Sequence, residues 1–177
     1  MHRISVETLL AEYAQGRRDF SNVDLSQADL FECNLKGINL QGSNLNQAYL
    51  PYANLSEANL QDAQLQEADL NNANLQFANL SNADLQHASL SRSDLYYCKL
   101  VGTHLTYANC RSADFRYANL NFADLSHANL SNAQLAQAQL IKTKLFGCTL
   151  FRALLADLDH AETDITTIFP SGHHGSD

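Results

Sequence analysis

At 177 residues the chain has the length of one domain. No stretch approaches the ~18 consecutive apolar residues of a membrane span, and seven Gly and two Pro are too few for a chain full of tight Gly/Pro turns. The formal net charge of −8 is lopsided: residues 19–90 hold nine acids and one base, residues 91–155 three acids and seven bases, and residues 156–177 five acids and no base, a pattern that concerns partners rather than fold.

Met1-His2-Arg3-Ile4-Ser5-Val6-Glu7 has no apolar run and no small-residue cleavage site, so no signal peptide is expected and the cytoplasm is the default location. Residues 1–17 read as a short helix. Ser5 is placed to cap it, Val6, Leu9, Leu10 and Tyr13 form one apolar stripe, and Gly16 stops it.

From Phe20 to Leu155 every fifth residue is large and apolar: of 28 positions, 25 are Leu, two are Phe (Phe20, Phe115) and one is Cys110. Two residues before each lies a second series of 27 positions, 18 of them Ala and the rest small apart from Val23 and Ile38. Asn or Asp usually stands between the two, as at Asp24, Asn34, Asn54, Asp69, Asn79 and Asp124. A period of five suits neither regular element. On an α-helix it advances ~500° and spreads the leucines around the cylinder; on a flat strand it puts successive leucines on opposite faces. The backbone must therefore repeat with the sequence, as a coil whose sides are one repeat long. Stacked coils bury the continuous core that one repeat cannot bury alone. A narrow interior that takes one Leu per side leaves room only for a small partner, which makes Ile38 the awkward member.

Ala58-Asn59-Leu60-Gln61-Asp62 and Ala68-Asp69-Leu70-Asn71-Asn72 show the A-(D/N)-L-x-x pattern, and residues 18–155 resemble the pentapeptide repeat family, cyanobacterial members in particular. The resemblance implies an all-β fold, a right-handed quadrilateral β-helix with four repeats per coil. It would have about seven coils and a length of ~34 Å at ~4.8 Å per rung. Leu9 to Phe20 resembles the N-terminal capping helix of such proteins, and Ile168-Phe169-Pro170-Ser171-Gly172 resembles their closing segment. Between them Ala156-Asp157-Leu158 slips the frame, His160 breaks it, and Thr163-Asp164-Ile165 returns to it. Residues 156–177 are expected to form an irregular cap and a disordered tail, His173 to Asp177.

With four repeats per coil, residues twenty apart stack in columns. Cys33, Cys98 and Cys148 take the small inward position and Cys110 the Leu position. All four are expected to be buried thiols with no disulfide and no metal site, since no two share a column. His87, Tyr107 and His127 form an outward column in which the two His lie ~10 Å apart, too far to share a zinc ion. Asp84, His104, Asp124 and Lys144 form another, whose acids should favour charged His104. Columns such as Asn34, Asn54, Asn74 and Asn39, Asn59, Asn79 are expected to make hydrogen-bonded side-chain ladders.

Phe77, Tyr97 and Tyr117 make an outward aromatic column, with Tyr96 and Arg116 beside it and Arg92 and Arg111 near the adjoining corner. Two readings stand. Rings in register support the stack by ~0.2–1 kcal/mol per pair; exposed Tyr and Arg are also the residues that dominate protein interfaces. Stacking of nucleic-acid bases on these rings is a weaker reading, because three or four Arg on an acidic chain leave a small electrostatic footprint. No phosphate loop, nucleophile elbow or metalloprotease motif occurs. The expectation is a non-catalytic interaction or scaffold module without cofactor, binding a protein partner as a monomer or weak dimer. The alternative, which the family resemblance suggests, is a mimic of duplex DNA that binds or inhibits DNA gyrase through the acidic segment 19–90. Against it stand the net positive segment 91–155, the excess of Asn over Asp, the lack of an inserted loop, and a tail without an apolar helical stripe.

Overall fold

A computed structural model describes residues 1–154 and 157–174. Strand β1, His2–Arg3, leads into helix α1, Val6–Ala14, and strand β2, Val23–Asp24, follows. The Ser5 side chain caps α1 by accepting from the Thr8 N–H at 3.2 Å. Leu9 of its apolar stripe is fully buried in the core, with Val6, Leu10 and Tyr13 packed half-buried beside it. The Tyr13 hydroxyl donates to the Lys36 carbonyl at 2.8 Å, and the Arg18 guanidinium lies 3.9 Å from the Tyr13 ring centre. β1 pairs in parallel with β2, His2 with Val23 and Arg3 with Asp24, so the residues ahead of the helix add a rung that the repeat pattern does not announce.

From Asp19 to Leu154 the chain closes parallel bridges between residues twenty apart, as in Asn34–Asn54–Asn74–Asp94–Asp114–Gln134. Every backbone N–H of a typical repeat then has a partner. In Asn44 to Ala48, Asn44 donates to the Val23 carbonyl, Leu45 to that of Gln64, Gln47 to that of Gln66 and Ala48 to that of Leu45. The remaining donor, Asn46 N–H, bonds the Asn44 side-chain oxygen at 3.0 Å. That last bond explains the Asn/Asp preference, since a side-chain acceptor two residues back replaces a ladder partner. At Gln64, Ser89 and Gln139 an Asn one coil earlier supplies the acceptor instead: Asn46 for Gln66, Asn71 for Ser91 and Asn121 for Ile141. After Tyr49 comes Pro51, which has no N–H to satisfy. The expected ladder runs along Asn39, Asn59 and Asn79 at 3.0 and 3.4 Å, whereas that of Asn34, Asn54 and Asn74 is made only between Asn34 and Asn54, at 3.0 Å, and the Asn54 oxygen accepts from Ser56 instead of Asn74.

The Gly count misleads about turns. Each repeat turns tightly, with a bond from the fourth N–H to the first carbonyl and positive φ at the third residue, the pattern of a type II turn. Residues such as Asn72, Phe77, His87 and Tyr97 adopt it, at φ of 56 to 59°, where Gly is the usual occupant. The surrounding bonds over-determine the conformation.

Phe20, Phe115, Cys110 and the leucines from Leu30 to Leu130 are fully buried, and Ile38 fits at 0% exposure. Hydroxyls at the small position reach a carbonyl of the preceding coil: Ser43 that of Phe20, Thr103 that of Leu80 and Thr143 that of Leu120, at 2.8 to 3.0 Å. Cys98 and Cys148 are buried in that position and Cys110 in the Leu position, and burial pushes their thiols up, Cys148 to about 12. Cys33 departs from the expectation. It is only half-buried, because no complete coil precedes it.

The frame does not return at Thr163-Asp164-Ile165. Glu162 pairs with Lys144 and Ile168 with Thr149, eighteen and nineteen residues on instead of twenty. Ile165 is therefore 73% exposed while Thr167 turns inward, its hydroxyl donating to the Leu145 carbonyl at 2.8 Å. At His173 and His174 the chain folds back: His174 makes an antiparallel bridge with Ile168, and the His173 carbonyl accepts from Phe169 N–H. Leu155, Ala156 and Gly175 to Asp177 lie outside the described residues.

Asp164 ties this segment to the last regular coil. Its carboxylate accepts from the Thr166 hydroxyl, the Gly147 and Thr166 N–H groups and the Thr167 hydroxyl, and these bonds hold its pKa at about 2. A folded pKa below the unfolded value of ~3.9 means that the contribution is present above pH ~4 and is lost as pH falls through the folded value. Amide protection of Gly147 and Thr166 is expected to decline across that window. Protection unchanged below the folded value, followed by hydrogen exchange, would contradict the assignment.

Candidate protein-interaction surface

Phe77, Tyr97 and Tyr117 all occupy the left-handed turn position at one corner of the coil, with φ of 59, 56 and 59°. That conformation aims each side chain outward, and the bond from each N–H to the next coil fixes the rung spacing. Phe77 and Tyr97 stack with centroids 5.7 Å apart and planes at 13°, and Tyr97 and Tyr117 at 4.9 Å and 3°. Tyr96 meets the stack edge-on at 6.1, 4.7 and 5.5 Å from Phe77, Tyr97 and Tyr117. The rings remain accessible at 55%, 47% and 43% exposure for Phe77, Tyr97 and Tyr117. Arg116 lies 5.5 Å from the Tyr96 ring centre and is held bidentately by Asp114, at 2.9 and 2.6 Å. Burial raises the Asp114 pKa, but the bonds from Arg116 outweigh it and the net direction is down.

The seven predicted residues thus fall into two groups. Phe77, Tyr96, Tyr97, Arg116 and Tyr117 form one aromatic corner. Arg92 and Arg111 line a separate polar groove with Asn71, Asn72, Ser89, Ser91, Asn109 and Ser112.

The His column is also a ring stack: His87 on Tyr107 at 5.1 Å and 6°, Tyr107 on His127 at 4.8 Å and 14°. Tyr107 separates the two imidazoles. Asp84, His104, Asp124 and Lys144 bridge in sequence, and Lys144 pairs with Asp124 at 3.5 Å. Among the described residues no group of three His, Cys, Asp or Glu is arranged to hold a metal ion.

A third aromatic cluster escaped the sequence reading. Phe31 stacks on Tyr49 at 6.0 Å and 15° and meets Tyr52 edge-on at 6.0 Å, all three exposed. These contacts link residues 18 and 21 apart, between neighbouring columns, where a search at spacing twenty does not look.

Parallel rungs at twenty-residue spacing around a filled core make this protein a β-helix solenoid, whose surface chemistry is confined to outward columns. The chain belongs to the pentapeptide repeat family: the "Pentapeptide repeats" model matches in eight copies, over residues 18–47, 38–76, 73–106, 93–132 and 113–151. Among solved structures it is similar to HetL, a pentapeptide repeat protein involved in heterocyst differentiation regulation from the cyanobacterium Nostoc sp. strain PCC 7120. That likeness has 26% identity, covers 97% of this chain and 99% of HetL, and has a TM-score of 0.52. The pentapeptide repeat protein alr5209 from Nostoc PCC 7120 is 29% identical over 92% of this chain and 98% of its own, with a TM-score of 0.24. QnrB1, a plasmid-mediated fluoroquinolone resistance protein, is 18% identical over 92% of this chain and 89% of its own, with a TM-score of 0.45. Among curated proteins none matches the chain. No helix is long and apolar enough to cross a membrane among the described residues.

Proposed function

We propose that this protein is a non-catalytic interaction module that holds a protein partner against the aromatic corner Phe77, Tyr96, Tyr97, Arg116 and Tyr117. The observation that carries the reading is the four-ring cluster, in which exposed Phe77, Tyr97 and Tyr117 are fixed in register against half-buried Tyr96. A rigid aromatic surface has already lost the conformational freedom that binding would otherwise cost. In this reading residues 1–17 cap the core through Leu9, residues 18–155 form about seven coils, and residues 156–177 close the far end. The module works as a monomer or weak dimer. Four free thiols suit a reducing compartment such as the cytoplasm.

Replacing Tyr97, Tyr117 and Arg116 together with Ala is expected to weaken partner recovery in a pull-down by ~30-fold or more, the scale of one interface hot spot. Recovery of every partner at wild-type levels would sink the reading.

A DNA-mimic role would need carboxylates continuous along one face. The columns interrupt them: Asp24 is followed by Asn44 and Gln64 before Asp84, and Asp19 by Asn39, Asn59, Asn79 and then Lys99. We therefore expect no effect on DNA gyrase supercoiling, with or without a quinolone. Inhibition or drug protection in that assay would promote the mimic instead.

A further inference from the structure

We propose that the groove between Arg92 and Arg111 is an oxyanion site that takes an acidic side chain from an extended segment of the protein partner. The inference rests on the interaction reading above and adds a second, chemically distinct contact to it. The groove is open to solvent along one side and has a volume of about 580 Å3. Ser89, Ser91 and Ser112 line it where an earlier coil carries Tyr49, Phe31 and Tyr52 in the same columns. The floor is already set, because the Asn71 side-chain oxygen accepts from the Ser89 hydroxyl at 2.8 Å and the Ser91 N–H at 2.9 Å.

Arg92 N–H donates to the Arg111 carbonyl at 3.0 Å, so the two arginines rise from adjacent rungs, ~4.8 Å apart. Both are exposed, and no acid lines the groove. Every ion pair among the described residues involves other cations: Arg17, Lys36, Arg116 and Lys144. Arg116, one face away, shows the contrast, because Asp114 already occupies its fork. Both arginines line the groove from neighbouring columns one rung apart, and each brings a planar fork of N–H donors to it. A carboxylate or phosphoryl group answers such a fork by bidentate pairing. Arg92 and Arg111 belong to segment 91–155, seven bases against three acids, and Asn71, Asn72 and Ser89, from the acidic segment 19–90, add no charge to the lining.

A protein segment fits better than nucleic acid. Two unpaired arginines neutralise few phosphates, and the aromatic rings that would stack bases line a different corner.

The test is fluorescence anisotropy on the full chain at low salt, with labelled hexaglutamate and a phosphoserine peptide as probes, and with inorganic phosphate and an oligothymidylate as comparisons. Arg92→Gln and Arg111→Gln together are expected to weaken hexaglutamate binding by about tenfold or more. Tyr97→Ala with Tyr117→Ala should leave it unchanged. Gln already holds the left-handed position of Arg92 in other coils, at Gln27, Gln47 and Gln137, so the variant keeps the fold. An unaltered thermal melt checks this. Competition by inorganic phosphate supports the oxyanion chemistry, and tighter binding of the phosphoserine peptide assigns phosphoryl as its source. Equal binding by the glutamine variant, or no binding of either peptide, would overturn the site. Tighter binding of the oligothymidylate would overturn it in favour of nucleic acid. Because the aromatic corner is tested separately by the triple Ala variant in the pull-down, failure here and failure of that corner give different results.

Discussion

Replacing Leu85 with Ala is expected to lower the unfolding free energy by ~2–5 kcal/mol, measured as a shift in the urea midpoint with the slope unchanged. Leu85 stacks under Leu65 and over Leu105, and all three are at 0% exposure. The cost should fall toward the upper end of that range, since a cavity is expensive when its walls cannot close in. Here the walls are rungs held by short bonds: Leu65 N–H to the Asp84 carbonyl and Leu85 N–H to the His104 carbonyl, both at 2.7 Å. Collapse of the site would break the ladder on both sides. The control is Phe122→Ala, an aromatic that is 57% exposed, for which a change within ~0.5 kcal/mol is expected. Similar midpoints for the two variants would contradict a continuous close-packed core.

What was legible in the sequence follows from what the period constrains. The five-residue repeat fixed which residues face inward, and the four-repeat coil of the family it resembles fixed which residues stack. Columns such as His87–Tyr107–His127 and Phe77–Tyr97–Tyr117 therefore follow from the period together with the four-repeat coil that the resemblance implies. The left-handed turns do not. Their usual signal is Gly, and here Asn, Gln, His, Phe and Tyr occupy the position, because each coil's bonds impose the conformation on whatever residue stands there. The ends were obscure for the opposite reason. Past Ala153 no period constrains the register, so the loss of one and two residues per coil is visible only in the pairing of Glu162 and Ile168. The candidate site divided along the same line. The aromatic corner lies within one column and its neighbour. The Arg92–Arg111 groove depends on small residues leaving space, and residue spacing does not register space.

The sharpest demand on the core is positional, and one column exposes it. Ile38, Ala58, Ala78, Cys98 and Ala118 stack at the small inward position, each at 1% exposure or less. One coil before Ile38 stands Arg18, whose side chain turns out to donate to the Tyr13 carbonyl at 2.8 Å and cover the Tyr13 ring. No small-position side chain lies above Ile38, and the larger residue fills the space. Ala78 has Ala58 one rung before it and Cys98 one rung after, at ~4.8 Å spacing. Ala78→Ile forces a branched side chain between backbones that cannot separate, and is expected to cost ~1–3 kcal/mol through overpacking. Ile38→Ala, the converse change at the top of the same column, is expected to cost ~2–5 kcal/mol through the cavity it opens. Urea unfolding of the two variants decides the matter. If Ala78→Ile were neutral, the interior would have slack, and the Ala preference at 18 of 27 positions would need a cause other than steric fit.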